Sequence, residues 1–521
     1  MNSAHTDIFS IVHNYKTVTE VLHNGQRIEP LHSNMLLCMK EVALSYPHSL
    51  IVWVHENLKN QVNYSDLHLR IANGNTLISY HTSEGTVAGE RLGYVDWGTF
   101  VHVDKSIRYP TWLMSSDVGA LEASTLNRVS NITPTRYSFD FDLCLLAKRC
   151  MPGGLLCYSD PQLLLNDTNS STKRQWETDI LYSFIATAYN RKWVIMLMLN
   201  LIAYERSMHV LSLIKAWFRS KPKYMNFTVQ QNSIAQHTVA QSVDVIIPTI
   251  GRKKYLLDFL NDLANQQAKV NRVIVVEQNP DIDSQSELEE ELQINRWPFR
   301  IVHIFTHTTG ACQARNTALK QVKSEWVFLA DDDIRIPENF ISDVFRQISS
   351  RSEKVFTLSC LKENETEKNS IPIQWHTFGS GCSFLHNSTL RHTKFNTAYE
   401  NGFGEDADFG MQLRKKGFDI IYLPTPQILH LKAPIGGFRT PVKHPWQHEP
   451  FFPKPSPTIM LYHLLYYTIH QRRGYKIFLF INYFLSQHTF NIISYTKRFK
   501  YQYSTSLKWA HQLQQKINYY V

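Results

Sequence analysis

The sequence predicts an α/β protein whose second half is built on a mostly parallel sheet. From residue 243 onward, short apolar runs alternate with segments of helical spacing, and the run 326–330 ends abruptly in Asp331, Asp332 and Asp333. Strands that alternate with helices form parallel sheets, and such sheets bind ligands at the carboxyl ends of their strands. The three aspartates are therefore expected at the ligand-binding edge of this sheet.

The individual elements of the second half follow from the same alternation. Leucines at helical spacing predict a helix over 255–267, an acidic segment predicts one over 284–292, and a third is expected over 311–322. The predicted strands cover 243–249, 272–277, 300–305 and 326–330.

At 521 residues the chain is too long for one ordinary domain. We expect an N-terminal α/β domain over 1–172, a helical bridge and linker over 173–240, a catalytic domain over 241–455, and a helical tail over 456–521. No apolar signal core follows Met1, and the seven cysteines lack C-x-x-C spacing. This pattern favours a reducing cytoplasm over a disulfide framework or a zinc site.

The tail is basic and aromatic. Its segment 450–521 contains no Asp or Glu but nine Lys and Arg, which equal the net charge of +9 of the whole chain. Such a segment suits the surface of an anionic membrane, and its longest apolar run is too short to span a bilayer. Packing of the tail on the catalytic domain is the main alternative, and a nucleic-acid partner is not expected.

The N-terminal half resembles a degenerate copy of the C-terminal half. Residues 161–165 match 426–430 after a shift of 265 positions, and Asp140 and Asp142 fall near the shifted segment 405–409. The strand over 49–54 would then correspond to the aspartate-bearing strand, although it ends in His55-Glu56-Asn57. Chance similarity of short segments is the alternative.

Clustered carboxylates repel one another and favour a bound cation, for which hard oxygen ligands select Mg²⁺ or Mn²⁺. A divalent ion at the end of a parallel strand can hold a diphosphate. A helix N-cap followed by a solvated acidic turn would explain Asp331–Asp333 without any ligand.

Several motifs together resemble the family 2 glycosyltransferases of the GT-A fold over about residues 243–432. The Asp331–Asp333 triplet resembles the DxD motif of that family, and Gly404–Phe409 resembles its ED acceptor motif. The other matching segments are 245–252, 275–279 and 310–316, and His430 falls at the position of a late metal ligand. The resemblance also implies that the first half is a degenerate GT-A-like domain.

This resemblance, together with the chemistry of the side chains, assigns expected roles to single residues. Asp333, Asp331 and His430 would bind Mn²⁺ or Mg²⁺, although His430 is alternatively a satisfied histidine at a strand end. Asp406 would be the catalytic base with Glu405 beside it, and Glu405 or Asp408 are the alternative bases. The residues expected to contact the nucleotide are Pro248, Thr249, Arg252, Glu277, Asn279, Arg315, Asp331 and Asp332.

The predicted function is an inverting, metal-dependent transfer of a sugar from a nucleotide-sugar donor. The acceptor would be a hydroxyl of a glycan or lipid-linked glycan in cell-surface polysaccharide synthesis, and the protein would be cytoplasmic or peripheral on the inner face of the membrane. The two alternatives are a nucleotidyltransferase and a non-catalytic glycan-binding scaffold. A nucleotidyltransferase should carry a Gly-rich basic loop after its first strand, whereas residues 248–252 contain a single glycine. The sequence leaves the oligomeric state open.

Overall fold

The computed structural model describes residues 7–71, 74–166, 174–219, 225–229, 241–294, 296–434, 444–487 and 491–518. The chain divides into two compact units. Unit 1 comprises Met1–Gln230 with Tyr467–His488, and unit 2 comprises Gln231–Tyr466 with Thr489–Val521. The tail predicted over 456–521 is thus shared between the units, and the polar linker predicted over 230–241 lies outside the described residues except for residue 241.

Unit 1 is an α/β unit around one eight-stranded sheet. Its strands are β1 (Ile8–His13), β2 (Val18–His23), β3 (Gln26–Ile28), β4 (Leu50–His55), β5 (Thr76–Tyr80), β6 (Tyr109–Pro110), β7 (Val118–Glu122) and β8 (Leu156–Ser159). Its helices are α1 (Met35–Ser45), α2 (Leu67–Arg70), α3 (Ala123–Asn127), α4 (Phe139–Cys150), α5 (Thr178–Ala188), α6 (Lys192–Asn200), α7 (Val210–Trp217) and α14 (Ile469–Leu485).

Unit 2 contains the strands and helices predicted for the second half. Its strands are β9 (Val243–Thr249), β10 (Val270–Gln278), β11 (Arg300–Thr306), β12 (Trp326–Ala330), β13 (Ile334–Arg335), β14 (Val355–Leu361), β15 (Ile373–Gln374), β16 (Cys382–His386) and β17 (Ile421–His430). Its helices are α8 (Lys253–Ala264), α9 (Glu289–Ile294), α10 (Ala311–Leu319), α11 (Phe340–Ile348), α12 (Glu405–Arg414), α13 (Pro457–Tyr466) and α15 (Ile492–Asn518).

The sheet of unit 2 has the order β11-β10-β9-β12-β16-β14-β17-β13, with β15 on β17. The strands β11, β10, β9 and β12 are mutually parallel, β16 is antiparallel to both of its neighbours, and β14 is parallel to β17. This is the mixed, mostly parallel α/β sheet that the alternation of elements predicts. The carboxyl ends of β9, β12 and β14 and the amino end of β16 consequently meet at one edge.

The sheet of unit 1 repeats this arrangement from its first strand onward. Its order is β3-β2-β1-β4-β7-β5-β8-β6, in which β1 and β4 are parallel, β7 is antiparallel to both of its neighbours, and β5 and β8 are parallel. The strands β8 and β17 begin 265 positions apart, at Leu156 and Ile421. The main departure is β2, which runs antiparallel to β1 where β10 runs parallel to β9. The sheet is therefore consistent with the predicted degenerate copy.

The described residues between the last strand of unit 1 and the first strand of unit 2 include the helices α5, α6 and α7. The helices α5 and α6 contribute buried residues such as Phe184 and Leu197 to the core of unit 1. In the tail, α14 packs against α6, and α15 packs against α13 and residues near Tyr399. Within the described part of the chain, no helix is long and apolar enough to cross a membrane.

The predicted acidic helix over 284–292 begins later than expected. Helix α9 starts at Glu289 because the segment before it is held by side chains. The hydroxyl of Ser286 accepts the amides of Leu288 and Glu289, both at 3.1 Å, and itself donates to Glu277. Hydroxyl and carboxylate acceptors compete with helical hydrogen bonds, so the segment forms a turn first.

Candidate active site

The three aspartates after β12 have separate hydrogen-bond partners, although Arg252 Nη1 lies 3.5 Å from Asp333 as well as close to Asp332. Asp332 is buried, and its carboxylate accepts hydrogen bonds from Thr249 Oγ1 and Arg252 Nη1, both at 2.7 Å. Burial raises the pKa of Asp332 to about 6, although the Arg252 charge opposes the shift. Asp332 thus ties the turn after β9 to the end of β12.

Asp333 is joined to the end of β17. Its carboxylate accepts the Ala433 amide at 2.8 Å, and its other oxygen lies 3.4 Å from His430 Nε2. Burial opposes ionisation of Asp333, but the hydrogen bonds from His430 and Ala433 lower its pKa to about 2. The hydrogen bond to Asp333 in turn raises the pKa of His430. This contact is consistent with the prediction from the sequence that Asp333 and His430 lie close together.

Asp331 is more exposed than Asp332 and Asp333. Its side chain is 37% exposed, and its Oδ1 accepts a hydrogen bond from Arg315 Nη2 at 2.9 Å. A Cβ at Gly381 would lie 2.1 Å from Asp331 Oδ2, so only glycine at this position leaves room for the carboxylate. Arg315 is buried, which removes the surface salt bridge as an explanation of its role.

Asp406 and Glu405 occupy the first turn of α12. Asp406 is bound by Ser380, and among the described residues its buried Oδ1 has no hydrogen-bond partner. Burial raises the pKa of Asp406, and Arg315 opposes this shift while Asp331 adds to it. Burial and the adjacent Asp406 raise the pKa of Glu405 to about 7. These interactions place Asp406 near Arg315 and Asp331.

Asp408, the other acid of this turn, is fully engaged. Its two oxygens accept hydrogen bonds from Gln412 Nε2 at 2.7 Å and from the Tyr466 hydroxyl at 2.9 Å. The residue is buried beneath α13. Asp408 therefore has the surroundings of a structural carboxylate, which leaves Asp406 and Glu405 as the candidate bases.

The residues expected at the nucleotide lie at the ends of β9 and β10. Glu277 is buried and accepts hydrogen bonds from Ser286, the Glu287 amide and His303 Nε2, the last at 2.8 Å. Asn279 follows β10, where its backbone N–H donates to the carbonyl oxygen of Thr306 at 3.1 Å. Pro248 pairs with Val276 within the sheet. The nucleotide roles of these residues stay predictions.

Two side chains of the site could not be assigned from the sequence. The thiols of Cys360, at the end of β14, and Cys382, at the start of β16, are hydrogen-bonded to each other. Both interact electrostatically with Asp331. The only sequence signal was the position of Cys382 next to a glycine-rich segment, because the pairing of β14 with β16 is a long-range contact.

Glu400 is a third residue that sequence reasoning missed. Its carboxylate accepts the amides of Cys312 and Gln313 at 3.2 and 3.1 Å, and it lies against Gly310. It thus caps the amino terminus of α10, the helix that carries Arg315. No local pattern could reveal this contact, since Glu400 lies about 90 positions away in the chain.

The donor set suits a divalent cation only in part. Asp331 and Asp333 supply hard carboxylate oxygens and His430 supplies an imidazole nitrogen, but no group of three or more such side chains is arranged around one point within the described ranges. Mg²⁺ and Mn²⁺ sites of this kind use one or two carboxylates and take their remaining ligands from substrate phosphates and water. Asp331 and Asp333 fit that pattern.

Part of the chain is similar to known proteins. Residues 244–418 match the family described as Glycosyl transferase family 2. Over 115 residues, the chain is 29% identical to the poly(ribitol-phosphate) beta-N-acetylglucosaminyltransferase TarS of Staphylococcus aureus, a match of 22% of this chain and 20% of TarS. Over 131 residues, it is 21% identical to the glycosyltransferase GlyG of Streptococcus pneumoniae, which is 25% of this chain and 43% of GlyG.

Solved structures also align with part of the chain. The crystal structure of S. aureus TarS 1–349 aligns with a TM-score of 0.31 and 21% identity, covering 37% of this chain and 61% of that chain. The same fragment in complex with UDP-GlcNAc aligns with a TM-score of 0.34 and 19% identity, covering 45% and 70%. The chain thus spans less than half the length of the curated relatives it matches, and the matching part, residues 244–418, is a glycosyl transferase family 2 domain.

Proposed function

We propose that the protein transfers a sugar from a nucleotide-sugar donor to a hydroxyl of a glycan or lipid-linked glycan, with inversion at the anomeric carbon. The observation that carries the proposal is the half-buried Asp406, whose buried Oδ1 has no hydrogen-bond partner in the described part of the chain and which lies beside the Arg315–Asp331 pair. A free carboxylate oxygen at the acceptor side of an acidic cleft is the group such a transfer needs.

In the proposed mechanism, Asp406 Oδ1 accepts the proton of the acceptor hydroxyl as that oxygen attacks the sugar. The Ser380 hydrogen bonds and the Arg315 charge favour the ionised form of Asp406 against the effect of burial. A single base and direct attack produce inversion. Glu405, with its pKa near 7, would position the acceptor.

The donor would bind along the ends of β9, β10 and β12. Arg252 and Arg315 are the cations nearest to the acid cluster, and guanidinium groups suit diphosphate oxygens. Thr249, Glu277 and Asn279 would contact the nucleoside, with Pro248 shaping the turn and Asp332 holding Arg252. Because TarS is an N-acetylglucosaminyltransferase by name, UDP-N-acetylglucosamine is the first donor to test.

Asp331 and Asp333 would hold Mn²⁺ or Mg²⁺, with His430 as a further ligand. The bound ion would neutralise the charge that develops on the departing diphosphate. Arg252 and Arg315 would share that task, because each already bonds an aspartate of the cluster.

Measurement of nucleotide release from a panel of nucleotide sugars, with Mn²⁺ or Mg²⁺ present, tests the proposal. We expect the Asp406→Asn variant to lose about 10²- to 10⁴-fold in kcat, the range of general base catalysis, with an unchanged KM for the donor. The exposed Asp283→Asn serves as the matched control. Undiminished release by Asp406→Asn would reject the base assignment.

The same assay separates the two alternative functions. A nucleotidyltransferase would release pyrophosphate from a nucleoside triphosphate and a sugar phosphate, whereas the proposed enzyme releases a nucleoside diphosphate from a nucleotide sugar. A glycan-binding scaffold would release neither product with any donor. The acids of unit 2 favour the transferase, because Asp331 and Asp406 both keep oxygens that no described side chain satisfies fully.

We further propose that the enzyme works at an anionic membrane surface on its cytoplasmic face. None of the seven cysteines, which all lie in the described part of the chain, forms a disulfide, and this supports a reducing compartment. Several side chains of the tail contact other parts of their own unit and so are not directed at solvent alone. Arg473 lies over the Tyr204 ring, and Trp509 and Tyr501 donate hydrogen bonds to Glu449. A better candidate surface is the exposed apolar face of α6 and α7.

This face, called the α6–α7 patch, combines apolar and basic side chains. Its exposed apolar residues are Ile195, Leu199, Ile202, Met208, Val210, Leu211, Ile214 and Phe218, of which Phe218 is 81% exposed and Leu211 is 73% exposed. Five Lys and Arg lie within 191–219, and the one acid of that segment, Glu205, is paired with Arg91. A second copy of the patch would bring like charges together, whereas an anionic bilayer complements both its charge and its apolarity.

A further inference from the structure

Two of the seven cysteines lie together at the candidate active site. Cys360 is the last residue but one of β14, and Cys382 is the first residue of β16, the neighbouring strand of the sheet. Both are half-buried, whereas the other five cysteines, which also lie in described parts of the chain, are buried. Small reagents from the solvent therefore reach this pair of thiols more readily than the other five.

The sheet brings the two thiols to one place. Strands β14 and β16 pair in antiparallel register as far as Thr357 and Ser383, whose hydroxyls are hydrogen-bonded at 2.9 Å. Cys360 follows Thr357 and Cys382 precedes Ser383, so both cysteines lie beyond the same end of this ladder. Their thiols are hydrogen-bonded to each other there. Two sulfurs in contact can be joined in a disulfide when the ends of their strands shift.

Two glycines create the space around the Cys382 sulfur and around the carboxylate beside it. A Cβ at Gly379 would lie 2.6 Å from Cys382 Sγ, which itself lies 3.9 Å from the carbonyl oxygen of Gly379. A Cβ at Gly381 would lie 2.1 Å from Asp331 Oδ2. The sulfur and the Asp331 carboxylate thus pack closely against the backbone of the same short segment, residues 379–382.

This segment also contacts the candidate base. Ser380 forms hydrogen bonds with Asp406 through its side chain and its backbone. Both thiols interact electrostatically with Asp331, and Cys382 does so with Asp406 as well. A covalent bond that draws Cys382 toward its partner would therefore displace the backbone against which both carboxylates are held.

We propose that Cys360 and Cys382 form a reversible disulfide when the protein meets a peroxide, and that this disulfide switches off sugar transfer. The disulfide follows from the position of the two thiols, and only its effect on turnover rests on the proposed function. In a reducing compartment the thiols stay reduced and the enzyme stays active.

One molecule of peroxide balances the oxidation. The thiolate of one cysteine attacks an oxygen of hydrogen peroxide, the O–O bond breaks, and a sulfenic acid and hydroxide form. The sulfur of the other cysteine then attacks the sulfenic sulfur, its S–O bond breaks, and the S–S bond forms. The two thiols lose two electrons and two protons in total, and the peroxide becomes two molecules of water. Dithiothreitol reverses the reaction by thiol–disulfide exchange.

Peptide mapping of the full chain without reducing agent tests the disulfide. After brief exposure to hydrogen peroxide and alkylation of the remaining thiols, we expect a linked pair of peptides that contain Cys360 and Cys382. The pair should be lighter by two hydrogens than the sum of the reduced peptides, and dithiothreitol should separate it. Two unlinked peptides, alkylated or oxidised only to sulfinic acid, would overturn the proposal.

Nucleotide release before and after the same treatment tests the switch. We expect wild type to lose about 10²-fold in rate, the effect of a small displacement of reacting groups, and to recover with dithiothreitol. Cys360→Ser and Cys382→Ser are each compared with their own untreated rate, and this ratio should stay near one. Cys38→Ala, which removes a buried cysteine of unit 1, should respond to peroxide like wild type.

The outcomes separate this proposal from the proposed function. A linked pair of peptides with no nucleotide release in either state would uphold the disulfide and reject the enzyme, and with it the switch. Undiminished release by fully linked protein would reject the switch alone. Equal sensitivity of Cys360→Ser and wild type would also reject it, because peroxide would then act elsewhere. Peptide mapping uses wild-type protein, so it remains decisive if a variant folds poorly.

Discussion

Glu405 is a residue whose ionisation is set by its surroundings. It lies beside Asp406 at the start of α12, and burial and that neighbouring charge raise its pKa to about 7. The dipole of a helix favours negative charge at its amino terminus, yet here desolvation and repulsion outweigh it. A carboxylate pair with perturbed pKa values is typical of sites that move protons.

Replacement of Glu405 by glutamine should stabilise the protein at high pH. The folded-state pKa lies above the ordinary value of 4.5, so the folded state prefers the protonated acid and loses stability as pH rises from about 4.5 to about 7. Glutamine mimics the protonated form. We expect Glu405→Gln to gain about 1–3 kcal/mol of unfolding free energy at pH 8 and almost none at pH 4.5, as measured by urea denaturation.

The exposed Glu363→Gln is the matched control and should be neutral at both pH values. A Glu405→Gln variant with the same gain at both pH values would contradict the raised pKa. Activity should fall in the stabilised variant, since Glu405 is proposed to position the acceptor, and this opposition of stability and activity is common at functional sites.

At the scale of elements, the sequence predicts buried strands well. Strands β12 and β9 have the predicted bounds. Strand β12 is a continuous apolar run between polar residues, and β9 is apolar except for Asp244 and its last residue, Thr249. Helix α9 starts late because Ser286 and Glu277, two residues with no helical signature, hold the preceding turn. Local pattern decides an element's type, whereas side-chain contacts decide where it begins.

The sequence predicts which residues belong to the site better than it predicts the hydrogen bonds between them. The sequence indicated Asp332, Thr249 and Arg252 separately, but their mutual hydrogen bonds join residues about 80 positions apart. The same holds for Arg174, which no motif marked and which bonds Asp117 and Asp140 in unit 1. Contacts of this kind depend on sheet order, which strand patterns do not specify.

The α6–α7 patch yields a prediction at this scale. Leu211→Asp combined with Phe218→Asp places two charges on the most exposed apolar positions of the patch and adds repulsion from anionic lipids. We expect the double variant to lose most of its co-sedimentation with phosphatidylglycerol vesicles at low salt, while nucleotide release in solution stays unchanged. The measurement is the bound fraction at several salt concentrations.

Leu44→Asp is the matched control, because Leu44 is 65% exposed on α1 of the same unit but lies outside the patch. It should bind vesicles like wild type. Equal losses for Leu44→Asp and the double variant would show a general effect of negative charge. Ile492 and Ile493 are two exposed residues of the tail. If vesicle binding is lost only when these two residues are replaced, the tail and not the α6–α7 patch contacts the membrane.

At the scale of the whole molecule, the two units share one strand arrangement but differ in the surroundings of their carboxylates. In unit 2 Asp331 is partly exposed and Asp406 keeps an oxygen without a partner among the described residues, whereas in unit 1 Arg174 forms ion pairs with both Asp117 and Asp140. Each unit has its own hydrophobic core. The sequence indicated the repeat through short matches 265 positions apart, but the internal neutralisation of unit 1 required the fold.

Arg174→Met should therefore destabilise unit 1 specifically. Asp117 and Asp140 are buried, so loss of the guanidinium leaves two carboxylates close together without a counter-charge. Removing one partner from such a buried network costs about 3–5 kcal/mol. We expect an early unfolding transition in urea that leaves nucleotide release by unit 2 intact, and Asp140→Asn added to Arg174→Met should recover part of the lost stability.

The Arg174→Lys variant keeps the charge but not the planar guanidinium, so its stability should lie between those of wild type and Arg174→Met. A single transition at the wild-type midpoint for Arg174→Met would mean that the arginine is a surface residue in solution, and with it the account of unit 1 as an internally neutralised copy would fail.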